Sequence, residues 1–151
     1  MRIHWSEKYN TGQILIDTEH RMLVMLFKKL DVAIKTKQSD AMLARTVSEV
    51  RKFVDFHFTS EENLMLETGY PGFDAHQKLH TNLMVELNSK ISRVVSHREY
   101  PDDLLDFLSR WLINHIAAQD QHLAKHILNS NERPFAESDY INFLENKKNL
   151  F

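Results

Sequence analysis

Residues 54 to 64 read Val54-Asp-Phe-His57-Phe-Thr-Ser-Glu61-Glu-Asn-Leu64. Their spacings of three and four residues predict one face of an α-helix, which continues backwards through Val50 and Val47. Glu61 therefore lies on a face that is otherwise mostly apolar. An ionised carboxylate without a partner costs several kcal/mol in such surroundings. Glu61 must be protonated, paired with a cation or bound to a metal, and no Lys or Arg shares its stripe.

Chain-breaking residues are few, since the 151 residues include only three Gly and three Pro. They separate four segments with helical spacing, which we predict at about 17–37, 39–69, 74–97 and 102–129, with Asp17 as the first N-cap. Long helices joined by short loops predict an all-α, up-down-up-down four-helix bundle. We expect one domain over residues 1–130, with an N-terminal arm anchored by Trp5. Residues 131–151 would form a short C-terminal extension, with a short helix over 138–148.

The composition excludes several classes of protein. No apolar run approaches the roughly 18 residues of a membrane span, and the first residues lack the apolar segment of a signal peptide, so we expect a cytoplasmic protein without membrane contact. A net charge of −2 gives no electrostatic footprint for nucleic acid. The absence of cysteine excludes disulfides, thiolate metal sites and thiol nucleophiles.

Histidines are unusually frequent, with nine against three glycines. The predicted inward stripe of the first helix includes His20, and that of the second includes His57. The third stripe begins with His76 and His80, which lie one turn apart, so their side chains can hold one ion together.

The fourth helix requires an irregular turn. Its apolar stripe is regular as far as His115, after which regular spacing would turn Gln119, His122 and His126 inward. One extra residue after His115 restores an apolar stripe and turns Asp120 inward. We therefore predict a π-type distortion between His115 and Asp120. His122 and His126 are then expected to be solvated or to face the tail.

The inward polar residues form a candidate metal site. Seven ligands are too many for one ion, so two metals are implied, and imidazoles with carboxylates suit iron or manganese better than structural zinc. The neighbouring Glu19 and Glu62 are expected to point outward into solvent. The predicted ligands are His20, His57, Glu61, His76, His80, His115 and Asp120.

An open metal position is expected within this set. If both carboxylates bridge and one further oxygen is shared, eleven of the twelve positions of two octahedra are filled. The surrounding side chains would admit a small neutral gas in preference to a charged substrate. This expected apolar shell consists of Phe27, Val54, Trp111 and Leu112.

These residues resemble the hemerythrin family of non-haem di-iron oxygen binders, especially its single-domain bacterial members. The resemblance covers about residues 3–130 and departs at Leu123, where many members carry tyrosine. Its landmarks are Trp5, Ile16-Asp-Thr-Glu-His20, His57-Phe-Thr-Ser-Glu-Glu62, Gly69-Tyr-Pro71, His76, His80, Trp111-Leu-Ile-Asn-His-Ile116 and Asp120.

The resemblance implies a specific assignment of ligands. One iron would be held by His76, His80 and His115, and the other by His20 and His57. Glu61 and Asp120 would bridge the two irons together with an oxo or hydroxo group, and oxygen would bind at the two-histidine iron.

The implied function is reversible dioxygen binding for carriage, storage or sensing, without chemical turnover. The alternative is an enzyme on the same fold, such as a di-iron oxidase, a peroxidase or a protein that handles nitric oxide. A third interpretation is a regulatory module that signals through residues 131–151. That extension could equally cap the bundle or mediate self-association.

Overall fold

The structure, a computed structural model, describes residues 4–130. These residues form an all-α bundle in which α1 and α3 each pack against both α2 and α4, as the sequence predicted. The predicted helix over 138–148 lies outside the described residues. The helical elements are a single 3-10 turn Glu7–Tyr9, α1 Ile14–Lys35, α2 Asp40–Glu67, α3 Phe73–Val95, α4 Pro101–His115, a π segment Ile116–Asp120 and α5 Gln121–Asn129.

The start of α1 differs from the prediction. Gln13, and not Asp17, is the N-cap, because the Gln13 side chain accepts a hydrogen bond from the Ile16 amide. Asp17 is instead turned back towards the preceding loop, where its carboxylate accepts hydrogen bonds from the amides of Thr11 and Gly12. Asp17 therefore holds the loop that precedes α1, and Gln13 supplies the cap that the sequence pattern had assigned to Asp17.

The other helix ends follow local chemistry closely. Ser39 accepts a hydrogen bond from the Met42 amide and caps α2, while Pro101 is the first residue of α4. Gly69 follows α2 with φ of 62°, a left-handed conformation that glycine adopts without strain. These residues fix where α2 and α4 begin and where α2 ends.

The predicted irregular turn is confirmed. The π segment Ile116–Asp120 joins α4 to α5, and both His115 and Asp120 are buried. Leu123 and Ile127, which continue the shifted stripe, are buried as well. The wider turn therefore allows one helix to keep an apolar face on both sides of a polar pair five residues apart.

The polar side chains lie between two apolar clusters. The larger cluster contains Phe27 and Val54 and reaches the π segment at Ile116. The smaller cluster, at the other side of the polar layer, joins α1, α2 and α5 through Ile16, Leu64, Met65, Leu123, Ala124 and Ile127. Among residues 4–130, no helix is both long and apolar enough to cross a membrane.

Truncation of Leu30 tests the packing of the larger cluster. Leu30 is fully buried, so Leu30→Ala is expected to lower the free energy of unfolding by about 2–5 kcal/mol in urea titrations. The matched control is Leu66→Ala, because Leu66 is 63% exposed and its truncation should change the same quantity by less than about 0.5 kcal/mol. Equal losses in the two variants would contradict this assignment of the core.

Candidate metal centre

All seven predicted ligands converge in the interior. The helices α1 to α4 each contribute at least one of them, and the π segment contributes Asp120. Each residue is at most 5% exposed. The side chains form two groups of potential ligands, one with His76, His80, His115 and Glu61, the other with His20, His57, Glu61 and Asp120.

Glu61 lies between the two groups and turns one oxygen towards each. Its Oε1 atom is 2.9 Å from His57 Nε2 and 3.6 Å from His20 Nε2. Its Oε2 atom is 3.2 Å from both His76 Nε2 and His80 Nε2. A carboxylate that divides its oxygens in this way is placed to bridge two cations.

Asp120 is arranged in the same manner. Its Oδ2 atom lies 2.7 Å from His20 Nε2, whereas its Oδ1 atom lies 2.8 Å from His115 Nε2 and 3.5 Å from His76 Nε2. Both carboxylates thus span the same pair of histidine groups, although they come from different helices.

Several buried nitrogen and oxygen atoms of the candidate ligands lie close together without forming hydrogen bonds. This observation tests whether metal ions fit here. His20 Nε2, His57 Nε2 and the oxygens of Glu61 and Asp120 make no hydrogen bond of acceptable geometry within the described chain, although His20 lies 2.7 Å from Asp120 and His57 lies 2.9 Å from Glu61. Buried polar atoms normally find such bonds. Close but misaligned donors and acceptors are typical of ligands that point at a common ion, so the residues fit a pair of cations.

The three-histidine group supports the same interpretation. The Nε2 atoms of His76 and His80 each lie 3.2 Å from His115 Nε2. Neighbouring ligands of one octahedral ion are about 3.0 Å apart when metal–nitrogen bonds are about 2.1 Å. The spacing of these nitrogens therefore matches ligation of one ion from two helices.

Neighbouring charges shift the pKa values of several residues in the cluster. Burial alone would lower the pKa of His57, but the carboxylates of Glu61 and Glu19 raise it to about 10. Asp120 raises the pKa of His115 to about 9, again against burial. The nearby histidines hold the pKa of Glu61 well below its usual range, although burial alone would raise it. Protons and metal ions therefore compete for these nitrogens, and metal binding should release protons.

Glu19 is not solvated, and the prediction that it points outward was wrong. It is buried, its Oε1 atom lies 2.9 Å from His57 Nδ1, and its Oε2 atom accepts a hydrogen bond of 2.7 Å from Ser60 Oγ. The sequence held a signal for this burial, because Leu26 and Ala33, seven and fourteen residues later, lie on the same side of α1 and are buried too.

Two further polar residues differ from expectation. Glu62 is only partly exposed, and its Oε2 atom lies 3.5 Å from His80 Nδ1, so it is not simply solvated. His126 is half-buried, and its Nε2 atom donates a hydrogen bond of 2.9 Å to the Thr68 carbonyl. His122 is exposed, as predicted.

Aromatic rings surround the histidines. Phe58 stacks on His80 with ring centroids 4.0 Å apart and planes 7° from parallel. The Trp111 ring lies 5.4 Å from that of His115, and Trp5 of the N-terminal arm lies 6.5 Å from His20. The four residues expected to form an apolar shell are all buried. This surrounding layer restricts the rotamers of the potential ligands and lowers their exposure to water.

Substitution of Glu19 tests the support for His57. Residues that hold ligating histidines typically contribute 10- to 100-fold to metal affinity. Glu19→Gln is therefore expected to weaken metal binding by about that factor in competition with a chromophoric chelator. Glu67→Gln, at an exposed position on α2, is the control and should leave the affinity unchanged. An unaltered affinity in Glu19→Gln would contradict the assigned role.

Comparison with known proteins identifies the family. The hemerythrin HHE cation-binding domain matches residues 11–127. A bacteriohemerythrin from Stenotrophomonas maltophilia (strain R551-3) is 33% identical over 123 residues, which cover 82% of this chain and 80% of that protein. A myohemerythrin from Theromyzon tessulatum is 28% identical over 116 residues, covering 77% and 86%.

A wild-type hemerythrin crystal structure shows the same fold. It matches with a TM-score of 0.77 and 23% sequence identity, over 84% of this chain and 98% of that one. The domain match, the sequence relatives and this shared fold agree, and the chain belongs to the hemerythrin family.

Proposed function

We propose that this chain binds dioxygen reversibly at a non-haem di-iron centre, for carriage, storage or sensing. The observation that supports it most directly is that Glu61 and Asp120 each turn one oxygen towards each histidine group. Two bridging carboxylates imply two metals, and membership of the hemerythrin family favours iron.

The proposed ligands follow the two groups of nitrogens. One iron would be held by His76, His80 and His115, and the other by His20 and His57. Glu61 and Asp120 would each supply one carboxylate oxygen to each iron. The group with His20 and His57 offers one imidazole fewer, so dioxygen would bind on that side.

Two ferrous ions, when bound, would supply the electrons for reversible dioxygen binding. The residues of the chain control access to that chemistry. The apolar layers on both sides exclude ions and bulk water, whereas a small neutral gas can enter. Glu19 fixes the His57 ring through its Nδ1 atom, so the other nitrogen stays directed at the centre.

We propose an oxygen binder and not an enzyme because of the charge of the ligand set. Five neutral imidazoles and two carboxylates provide little of the anionic donation that stabilises high-valent iron. The ferritin-like carboxylate proteins instead use four carboxylates and two histidines.

The cytoplasmic location that we expect from the sequence remains a prediction.

An anaerobic oxygen titration tests this function. The reduced protein is expected to be nearly colourless, to gain a charge-transfer absorption on exposure to oxygen and to lose it when oxygen is removed. His57→Ala should abolish the change, while His122→Ala, at an exposed histidine, should preserve it. Irreversible oxidation with release of a product would instead indicate the enzymatic alternative.

Removal of the Glu61 carboxylate tests the proposed bridge. Glu61→Ala should lower the iron content from about two ions per chain to one or fewer, because one bridge supplies ligands to both metals. Iron is measured by mass spectrometry of the purified protein, with Glu67→Ala as the exposed control. Retention of both irons in Glu61→Ala would show that Glu61 does not bridge.

A further inference from the structure

The candidate ligands are closed off from solvent, so a metal ion can reach them only through a local opening of the bundle. Each of the seven is at most 5% exposed. The smaller apolar cluster contains six buried residues, against seventeen in the larger one. Local openings occur most readily where few buried apolar contacts must be broken. The side of the smaller cluster is therefore the easier route to the centre.

Tyr70 lies on this side, in the turn between α2 and α3. Its partly buried ring packs against the smaller cluster. The ring centroid lies 6.5 Å from that of His76, with the two planes at 75°, and 5.2 Å from that of His126. Tyr70 therefore contacts both a buried candidate ligand and a histidine that is partly exposed.

The turn fixes the backbone of Tyr70, whereas packing holds its ring. The Tyr70 amide donates a hydrogen bond of 2.8 Å to the Met65 carbonyl, and the Tyr70 carbonyl accepts one of 3.2 Å from the Phe73 amide. The ring lies against Gly72, where an added Cβ would be only 2.8 Å from Tyr70 Cε1. Rotation about the side-chain bonds can therefore move the ring to another rotamer without breaking the turn.

His76 is less restrained than two of the other candidate ligands. The Nδ1 atoms of His57 and His80 each lie within 3.5 Å of a carboxylate oxygen. The buried Nδ1 atom of His76 makes no hydrogen bond within residues 4–130. Histidines that ligate a metal are usually oriented by a partner at the other ring nitrogen. The Tyr70 ring restricts the His76 imidazole by packing instead, so movement of that ring would also loosen this ligand.

Trp5 has a corresponding position beside the other histidine group, but more contacts hold it. Its ring lies 6.5 Å from that of His20, whose Nδ1 atom also has no hydrogen-bond partner within the described chain. The Arg21 guanidinium lies 5.3 Å from the centre of the Trp5 ring, and the Tyr9 ring lies 5.9 Å away. Trp5 also packs against the larger cluster. Of the two rings, Tyr70 is the one that moves more easily.

We propose that the Tyr70 ring is the gate through which metal ions enter and leave the buried centre. This inference rests on the metal centre proposed above. In the closed position the ring lies against Gly72 and covers His76. In the open position it has rotated away from both, and His76 is the first ligand that an entering ion meets.

The release of ferrous iron from the purified, reduced protein tests this gate. The iron is captured anaerobically by an excess of a chromophoric chelator, and the rate is measured from the absorption of the chelate. Tyr70→Ala should release iron at least about tenfold faster than the natural sequence, which corresponds to a barrier lower by about 1.4 kcal/mol. Tyr70→Phe keeps the ring and should restore the natural rate.

Gly72→Ala provides a second variant that leaves Tyr70 in the chain. Its added Cβ would displace the ring, so this variant should also release iron faster than the natural sequence. It applies the same test if Tyr70→Ala does not fold. Tyr100→Ala is the control, because Tyr100 is 77% exposed and its truncation should leave the rate unchanged.

Two further variants distinguish the gate from a general loosening of the bundle. Leu30→Ala weakens the larger cluster, and Trp5→Ala removes the ring beside His20. Both should release iron more slowly than Tyr70→Ala. Equal rates for Tyr70→Ala and the natural sequence would overturn the gate, as would an equally large acceleration in either of these variants. Absence of iron from the purified natural protein would instead contradict the proposed metal centre, and the gate with it.

Discussion

The structure depends on how two buried carboxylates are neutralised. Glu61 and Asp120 are both fully buried and are surrounded by five imidazoles. Taking two anions out of water is unfavourable by several kcal/mol each unless cations compensate for it. The carboxylates raise the pKa of His57 and His115, and the misaligned contacts fit a pair of metal ions as the compensating charge.

This constraint explains the irregular backbone as well as the ligand set. A regular helix would place residues five apart at about 140° from each other, so His115 and Asp120 could not both face the same centre. The π segment brings them to one side and lets Leu123 and Ile127 return to the apolar interior. The distortion therefore links the position of the candidate ligands His115 and Asp120 to the packing of α5.

Much of this arrangement could be predicted from the sequence because it depends on periodicity. Apolar stripes identified the inward faces, and the break after His115 indicated the π segment. Local hydrogen bonding was harder to predict. Asp17 and His126 each have a polar group that could face water equally well by spacing alone, and contacts with other segments decide otherwise. Glu19 lies at the edge of the buried stripe, where its spacing to Leu26 and Ala33 indicates burial but does not identify His57 as its partner.

The layers around the centre relate its position to its proposed chemistry. Apolar clusters lie on both sides of the polar layer. Glu19 contacts the Nδ1 atom of the His57 ring, and Ser60 donates a hydrogen bond to Glu19. A rigid and largely dry environment limits ligand rearrangement and excludes charged molecules.

Anomalous diffraction at the iron absorption edge, from crystals of the protein as purified, tests the central claim most directly. The account predicts two iron peaks per chain, within about 4 Å of each other, with Glu61 and Asp120 contacting both. A single peak, or peaks away from these two carboxylates, would contradict it.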